Sequence, residues 1–233
     1  MSRLLLPMLA LAVACSCPSD KADPVATDAA KLPPPPPPVP VERIRGMVHA
    51  EGEHLYLTVC GAEQPSKVLG SAVAELRETL EAVEYNPEGP AVPVEVVGAT
   101  REQPGGGGMV SVENVAMALP PGGSGLCDLD SSYQYRAGGN EPFWSISLVG
   151  TTLVFASPEL DSPLEFPAIA ARVPGRTGPM WRGELEARVL ELQLTPERCY
   201  DDMSGAAYPF TATAILDGAT LTGCGHQGWD AAL

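Results

Sequence analysis

Residues 199–225, CYDDMSGAAYPFTATAILDGATLTGCG, gather Cys199, Asp201, Asp202, Ser204, Tyr208 and Cys224 into one short stretch, and His226 follows directly. A serine becomes a nucleophile only beside a base, so Ser204, Asp201 or Asp202, and His226 would together suit a hydrolase. The chain has three histidines, and the plainer reading of His226 is a terminal surface residue. His49 and His54 bracket Glu51-Gly52-Glu53. Two imidazoles with carboxylates suit zinc or copper, although an exposed hairpin tip carries the same residues without any ion. In GNEPFW, Asn140, Glu141 and Trp144 would line a pocket, or else form a turn followed by a core aromatic. The candidate binding residues are therefore Asn140, Glu141, Trp144, Asp201, Asp202, Ser204 and Tyr208. No catalytic residue and no cofactor is assigned, and His49 and His54 are the only metal candidates.

The elements that position these residues are short and strand-like. Phe210, Ala212, Ala214 and Leu216 alternate onto one face, Asp217-Gly218 is a strong hairpin signal, and Leu221 leads back to Cys224. Strands are also expected at 133–137, 143–148, 153–156 and 185–194. In the last of these the apolar set shifts from Leu185, Ala187, Val189 to Leu190, Leu192, Leu194, which a β-bulge would absorb. A Cys199–Cys224 bridge would staple the hairpin to its neighbour, worth about 3 kcal/mol by loop entropy.

Upstream, 43–50 and 54–59 flank the Glu51-Gly52-Glu53 turn as a hairpin. From Lys67 to Glu84, Leu69, Val73, Leu76, Leu80 and Val83 recur at helical spacing until Asn86-Pro87. Strands return at 92–99 and 109–118, separated by Pro104 and four glycines. Gly122-Gly123-Ser124-Gly125 then loosens the chain. The expected architecture is mainly β: residues 43–130 as a small OB-like barrel with one helix, and 131–233 as a disulfide-stapled antiparallel barrel or sandwich.

Export sets the redox context. MSRLLLPMLALAVAC has one arginine, then an apolar run from Leu4 to Ala14 too short to span a bilayer as a mature helix. Residues 1–14 are expected to be a signal peptide. Residues 15–42 follow as a tether, whose six consecutive prolines at 33–38 form a polyproline II rod rising ~3.1 Å per residue. Of six cysteines, Cys15 and Cys17 lie on this tether. Cys60–Cys127 and Cys199–Cys224 are the bridges that keep each loop within one module. Sequence alone does not fix the connectivity, and a crossed pairing is the alternative.

With 14 Lys plus Arg against 29 Asp plus Glu, the net charge is -15. Nucleic acid and anionic lipid are poor partners, because phosphate binding needs basic patches. A cationic protein or a small ligand fits better, and the acidity also serves solubility.

Four resemblances add to this reading. Leu11-Ala12-Val13-Ala14-Cys15 resembles a bacterial lipobox, which implies that Cys15 is acylated and anchors the chain, with Cys17 the second candidate. Ser16 then implies the outer membrane rather than retention at the inner one. GNEPFW, Asp201 to Gly205 as DDMSG behind Cys199, Tyr208-Pro209 and Gly223-Cys224-Gly225 together resemble a family of uncharacterised bacterial envelope lipoproteins over residues 133–226. The layout of 41–130 resembles the OB-like domain of envelope-stress lipoproteins. Ser204-Gly205-Ala206-Ala207-Tyr208 resembles the SGxxY pattern of membrane-bound inhibitors of C-type lysozyme, which implies that Ser204 and Tyr208 would contact the enzyme. The function expected is an envelope lipoprotein that binds a ligand or serves envelope stress without catalysis. The alternatives are a lysozyme-inhibitor-like protein, or a hydrolase or metal-dependent enzyme built on Ser204, Asp201 or Asp202, and His226.

Overall fold

The computed structural model describes residues 40–102, 108–123, 126–127 and 132–228. The expected signal peptide at 1–14, Cys15, Cys17 and most of the expected tether at 15–42 lie outside the described residues. The first module contains β1 (Glu42–Glu51), β2 (His54–Val59), β3 (Ser66–Leu69), α1 (Val73–Ala82), β4 (Val92–Glu102) and β5 (Gly108–Ala118). β1 pairs antiparallel with β2 and β4, β2 with β3, and β4 with β5, while β3 and β5 run parallel. The ring β1-β2-β3-β5-β4 closes on itself, with α1 between β3 and β4 in chain order, which is the OB arrangement. Period-two alternation buries Ile44, Val48, Leu55, Leu57, Val94 and Val96.

The helix is shorter than its periodicity predicts. Lys67 to Leu69 belong to β3, and Leu69 is exposed, whereas Leu76, Leu80 and Val83 are buried. Gly70 breaks the run at φ +113, and a Cβ there would lie 2.3 Å from the Val112 carbonyl oxygen. Only glycine permits both that conformation and that approach.

The second module contains β6 (Tyr135–Asn140), β7 (Phe143–Val149), β8 (Thr152–Ala156), β9 (Leu164–Ala170), β10 (Met180–Leu185), β11 (Arg188–Thr195), β14 (Phe210–Leu216) and β15 (Ala219–Gln227). Between β11 and β14 the chain makes an excursion through β12 (Cys199–Tyr200) and β13 (Ala207–Tyr208). The eight longer strands each pair with the next, and β15 pairs with β6, so the sheet is an up-and-down closed barrel. Trp144, Ile146, Leu153, Phe155, Phe166 and Leu190, with others, fill its interior, as expected when eight strands enclose just enough space for side chains.

The apolar shift at 184–194 is a hairpin and not a bulge. β10 and β11 join through Glu186-Ala187, with Leu185 opposite Arg188 and Glu186 at φ 55. The phase changes because the chain reverses. Both disulfides take the pairing that keeps each loop within one module, Cys60–Cys127 and Cys199–Cys224.

The modules belong to one compact unit, Val39–Leu233. Ala207 on the excursion pairs with Ala118 of β5 and packs in the first module's core. Glu95, on β4, is 1% exposed and accepts from Arg45 Nε at 2.7 Å and from Arg43. Arg43 also donates to the carbonyl oxygens of Gln227, at 3.0 Å, and Gly228. Arg198, just ahead of β12, is paired with Glu75 of α1. Breaking a buried ion pair on one side leaves uncompensated charge, at a cost of roughly 3–5 kcal/mol. Glu95→Gln is therefore expected to lose about that much stability in urea titrations, while a variant with Glu95, Arg43 and Arg45 all replaced by apolar residues loses less. Equal losses would mean that the charges do not act as a pair.

Candidate functional site

GNEPFW forms the β6–β7 hairpin. Asn140 pairs with Phe143 and Gly139 with Trp144, and the intervening Glu141-Pro142 bond is cis, as in a type VI turn. Trp144 points inward, 5% exposed, and its Nε1 donates to the Thr222 carbonyl at 3.3 Å. A Cβ on Gly139 would lie 2.5 Å from that nitrogen, so the motif's glycine makes room for its tryptophan. Trp144 is thus a core residue.

The cysteine-led motif is a closed loop organised by Asp201. One carboxylate oxygen, Oδ1, accepts from Ser204 N at 2.6 Å, Ser204 Oγ at 2.8 Å and Met203 N at 3.2 Å. The Asp201 carbonyl accepts from Gly205 N at 2.7 Å, and Asp201 N donates to Ala206 O at 2.9 Å. Oδ2 accepts from Asn140 Nδ2 at 3.0 Å, which ties the two motifs together. Burial alone would raise the Asp201 carboxyl, but the donors on Ser204, Asn140 and Met203 outweigh it and hold it below the usual carboxylate value.

Tyr208 and His226 lie beside this loop. Their rings stack at 5.6 Å, and Tyr133 meets His226 edge-on, also at 5.6 Å. Burial, then the charge of Asp201, pushes the Tyr208 hydroxyl up. Burial pushes His226 down to about 4, with the Gln227 carbonyl and Glu95 opposing the shift and Arg136 and Arg43 reinforcing it. Ser204 and Asp201 are brought together, whereas His226 stacks on Tyr208. No hydrogen bond among the described residues joins Ser204 to His226, so the serine–histidine step of a relay is not assembled.

His49 and His54 share a face of the β1–β2 hairpin, with Glu51 opposite His54. His49 stacks on Tyr56 at 5.6 Å and lies 3.5 Å from Glu51, while His54 Nε2 sits 3.5 Å from the Lys67 ammonium. An ammonium beside an imidazole disfavours a bound cation. Among the described residues no group of three or more His, Cys, Asp or Glu is placed to hold a metal ion.

What the two motifs enclose is a cleft of about 660 Å³. Asn140, Glu141, Phe143, Tyr200, Asp202 and Met203 are the lining side chains that matter most. Phe143 is 48% exposed, Tyr200 47% and Met203 68%. Ser204 and Tyr208 stand outside the cleft. Phe143, Tyr200 and Met203 are the functional candidates that sequence reasoning passed over; Phe143 reads there only as a residue alternating with Trp144 along a strand. For Tyr200 and Met203 the signal was an apolar residue on each side of the acidic pair.

His226 supplies a pH test. Above pH 6.5 it is neutral folded or unfolded; as pH falls from 6.5 towards 4 only the unfolded chain takes the proton, so stability declines across that window and the effect is complete below it. With the ring partly accessible, the loss is expected to be on the order of 2 kcal/mol. His226→Phe keeps a ring against Tyr208 and should remove that slope in denaturation measured at pH 7, 5.5 and 4. Asp201 acts at lower pH, its contribution being lost as pH falls through its depressed value.

No family model matches this chain, and no curated protein or solved structure matches it either.

Proposed function

We propose that this protein is a lipid-anchored envelope protein, binding or stress-related, that holds a ligand without transforming it at the cleft between the GNEPFW hairpin and the cysteine-led loop. The observation that carries the reading is the division of labour there. Asn140, Asp201, Trp144 and the Cys199–Cys224 bridge are engaged in holding the walls, while Phe143, Tyr200 and Met203 stay exposed on a frame that would let them contact something else. Two disulfides suit an oxidising space, which export through residues 1–14 would supply, and acylation of Cys15, or Cys17, would then hold the chain at a membrane there. Several acyl chains on one cysteine would give firm attachment, and Ser16 favours the outer membrane. No described helix is long and apolar enough to cross a membrane.

Two measurements test this. Labelled palmitate is expected to enter the full chain in cells and to be lost on Cys15→Ala; label that persists moves the anchor to Cys17, and no label in the parent chain removes the anchor. Hydrogen exchange of the full chain with envelope extract is expected to protect residues 139–143 and 199–205 while leaving the Glu186 and Asp217 turns unchanged. Protection elsewhere, or nowhere, overturns the cleft as the binding site.

The lysozyme-inhibitor reading rests on the placing of Ser204 and Tyr208 side by side on one excursion, with Ser204 exposed and Tyr208 half-buried against His226. It requires micromolar protein to slow cell-wall lysis by lysozyme, and Ser204→Ala to weaken that effect.

A further inference from the structure

We infer that the cleft takes an extended peptide segment of a partner protein in which lysine or arginine alternates with apolar residues. This rests on the binding reading above and adds the chemistry of the occupant. The site is longer than one cavity. A second hollow of about 440 Å³ shares Asn140, Glu141 and Phe143 with the first and continues to Ser157, Pro158 and Glu159. The Glu141–Phe143 turn therefore sits in the middle of a groove.

Charge along the groove has one sign. Glu159, Glu141 and Asp202 are exposed carboxylates at successive points on its lining, and neither hollow is lined by a lysine, arginine or histidine. The other clefts differ. Arg172 and Arg176 line the hollow beneath the β9–β10 connection, and Arg182 and Arg188 line another, where they are paired with Glu191 and Asp217. Of the eight large apolar side chains exposed on the described surface, Phe143, Tyr200 and Met203 all line this groove. Carboxylates set among an aromatic ring, a phenol and a thioether complement cations spaced by apolar side chains. Met203 adds an unbranched, adaptable contact, and the aromatic rings add faces for guanidinium or ammonium groups.

The backbone favours an extended occupant. β12 is the terminal strand of the seven-stranded sheet, and both of its residues, Cys199 and Tyr200, line the groove. A peptide laid along it would meet a strand edge, the mode in which main-chain bonds supply affinity and alternate side chains supply specificity. The disulfide to Cys224 and the Asn140–Asp201 bond hold that edge in place, which lowers the ordering cost of binding.

The test is fluorescence anisotropy of the full chain in neutral detergent with labelled octapeptides. One set alternates lysine or arginine with leucine and phenylalanine; the controls carry glutamate or serine at the charged positions. Basic peptides are expected to bind, the acidic and neutral controls at least tenfold more weakly. The double variant Glu141→Gln with Asp202→Asn is expected to weaken binding about tenfold and to flatten its salt dependence. Phe143→Ser is expected to cost about tenfold. Ile169→Ser, at a side chain 72% exposed and outside the groove, should change nothing. Because micelle binding is the same for every variant, the ratios report the groove. Equal binding of all three peptide classes, binding indifferent to the groove variants, or no binding of basic peptides overturns the inference. If extract protects 139–143 and 199–205 while basic peptides fail, the occupant is wrong and the cleft stands. If neither does, both fall.

Discussion

A carboxylate that is 1% exposed cannot stay charged in a barrel core without partners. Glu95 has two, and the second links the modules. Arg45 satisfies one oxygen from within the first barrel, while Arg43, holding the other, also donates to the carbonyls of Gln227 and Gly228 at the end of β15. The end of the last strand is thereby fixed to the first module. That strand carries His226 and Cys224. Cys224 holds Cys199, and Cys199 starts the excursion whose Asp201 meets Asn140. The cleft is held through this sequence of contacts, and it is held again where Ala207 enters the first core.

The residues most prominent in the sequence are mostly scaffold. Gly139 is there because Trp144 needs the space, and Asp201 because its loop needs an acceptor for three donors. Such positions cannot change without moving the walls, whereas Phe143, Tyr200 and Met203 can vary with a ligand. The GNEPFW and DDMSG motifs therefore speak to architecture first. Their joint occurrence has a physical reason in the hydrogen bond between them, which spans 61 residues.

What was legible in the sequence was local. Glu51-Gly52-Glu53 and Asp217-Gly218 are hairpins because Gly52, Asp217 and Gly218 take the positive φ such turns require. The OB layout, the single helix and the two bridges followed from spacing and parity. Where an unusual residue occupied a special conformation, reading failed. Glu186 at φ 55 carries no turn signature, so the turn read as a bulge inside one strand at 185–194, and β10 before Leu185 was not read as a strand. Gly70 separated a strand from a helix that share one apolar period. Pro167 disguised β9, where it pairs with Thr152 at the end of the β8–β9 ladder. The site was legible as a list of residues and not as a place. Trp144 lies in the core, Tyr208 against His226, and only contacts distant in sequence distinguish these from Asn140, Glu141 and Asp202.

The distribution of charge then gives the acidity a consequence beyond solubility. The ion pairs seen consume arginine: Arg43 and Arg45 on Glu95, Arg182 on Glu184 and Glu191, Arg188 on Asp217, Arg198 on Glu75. With 14 basic residues against 29 acidic ones, each one-to-one pairing keeps the net excess of 15 acidic groups while raising the acidic share of the groups left unpaired. The groove between the Glu159 loop and Asp202 lies where carboxylates meet exposed apolar side chains with no arginine among its lining residues. Long-range attraction from the whole body would speed the approach of a cation at low salt, and screening limits that to about 8 Å at physiological ionic strength. At the groove the lining carboxylates would act at contact range, so in the proposed binding encounter and specificity would come from different charges on the same molecule.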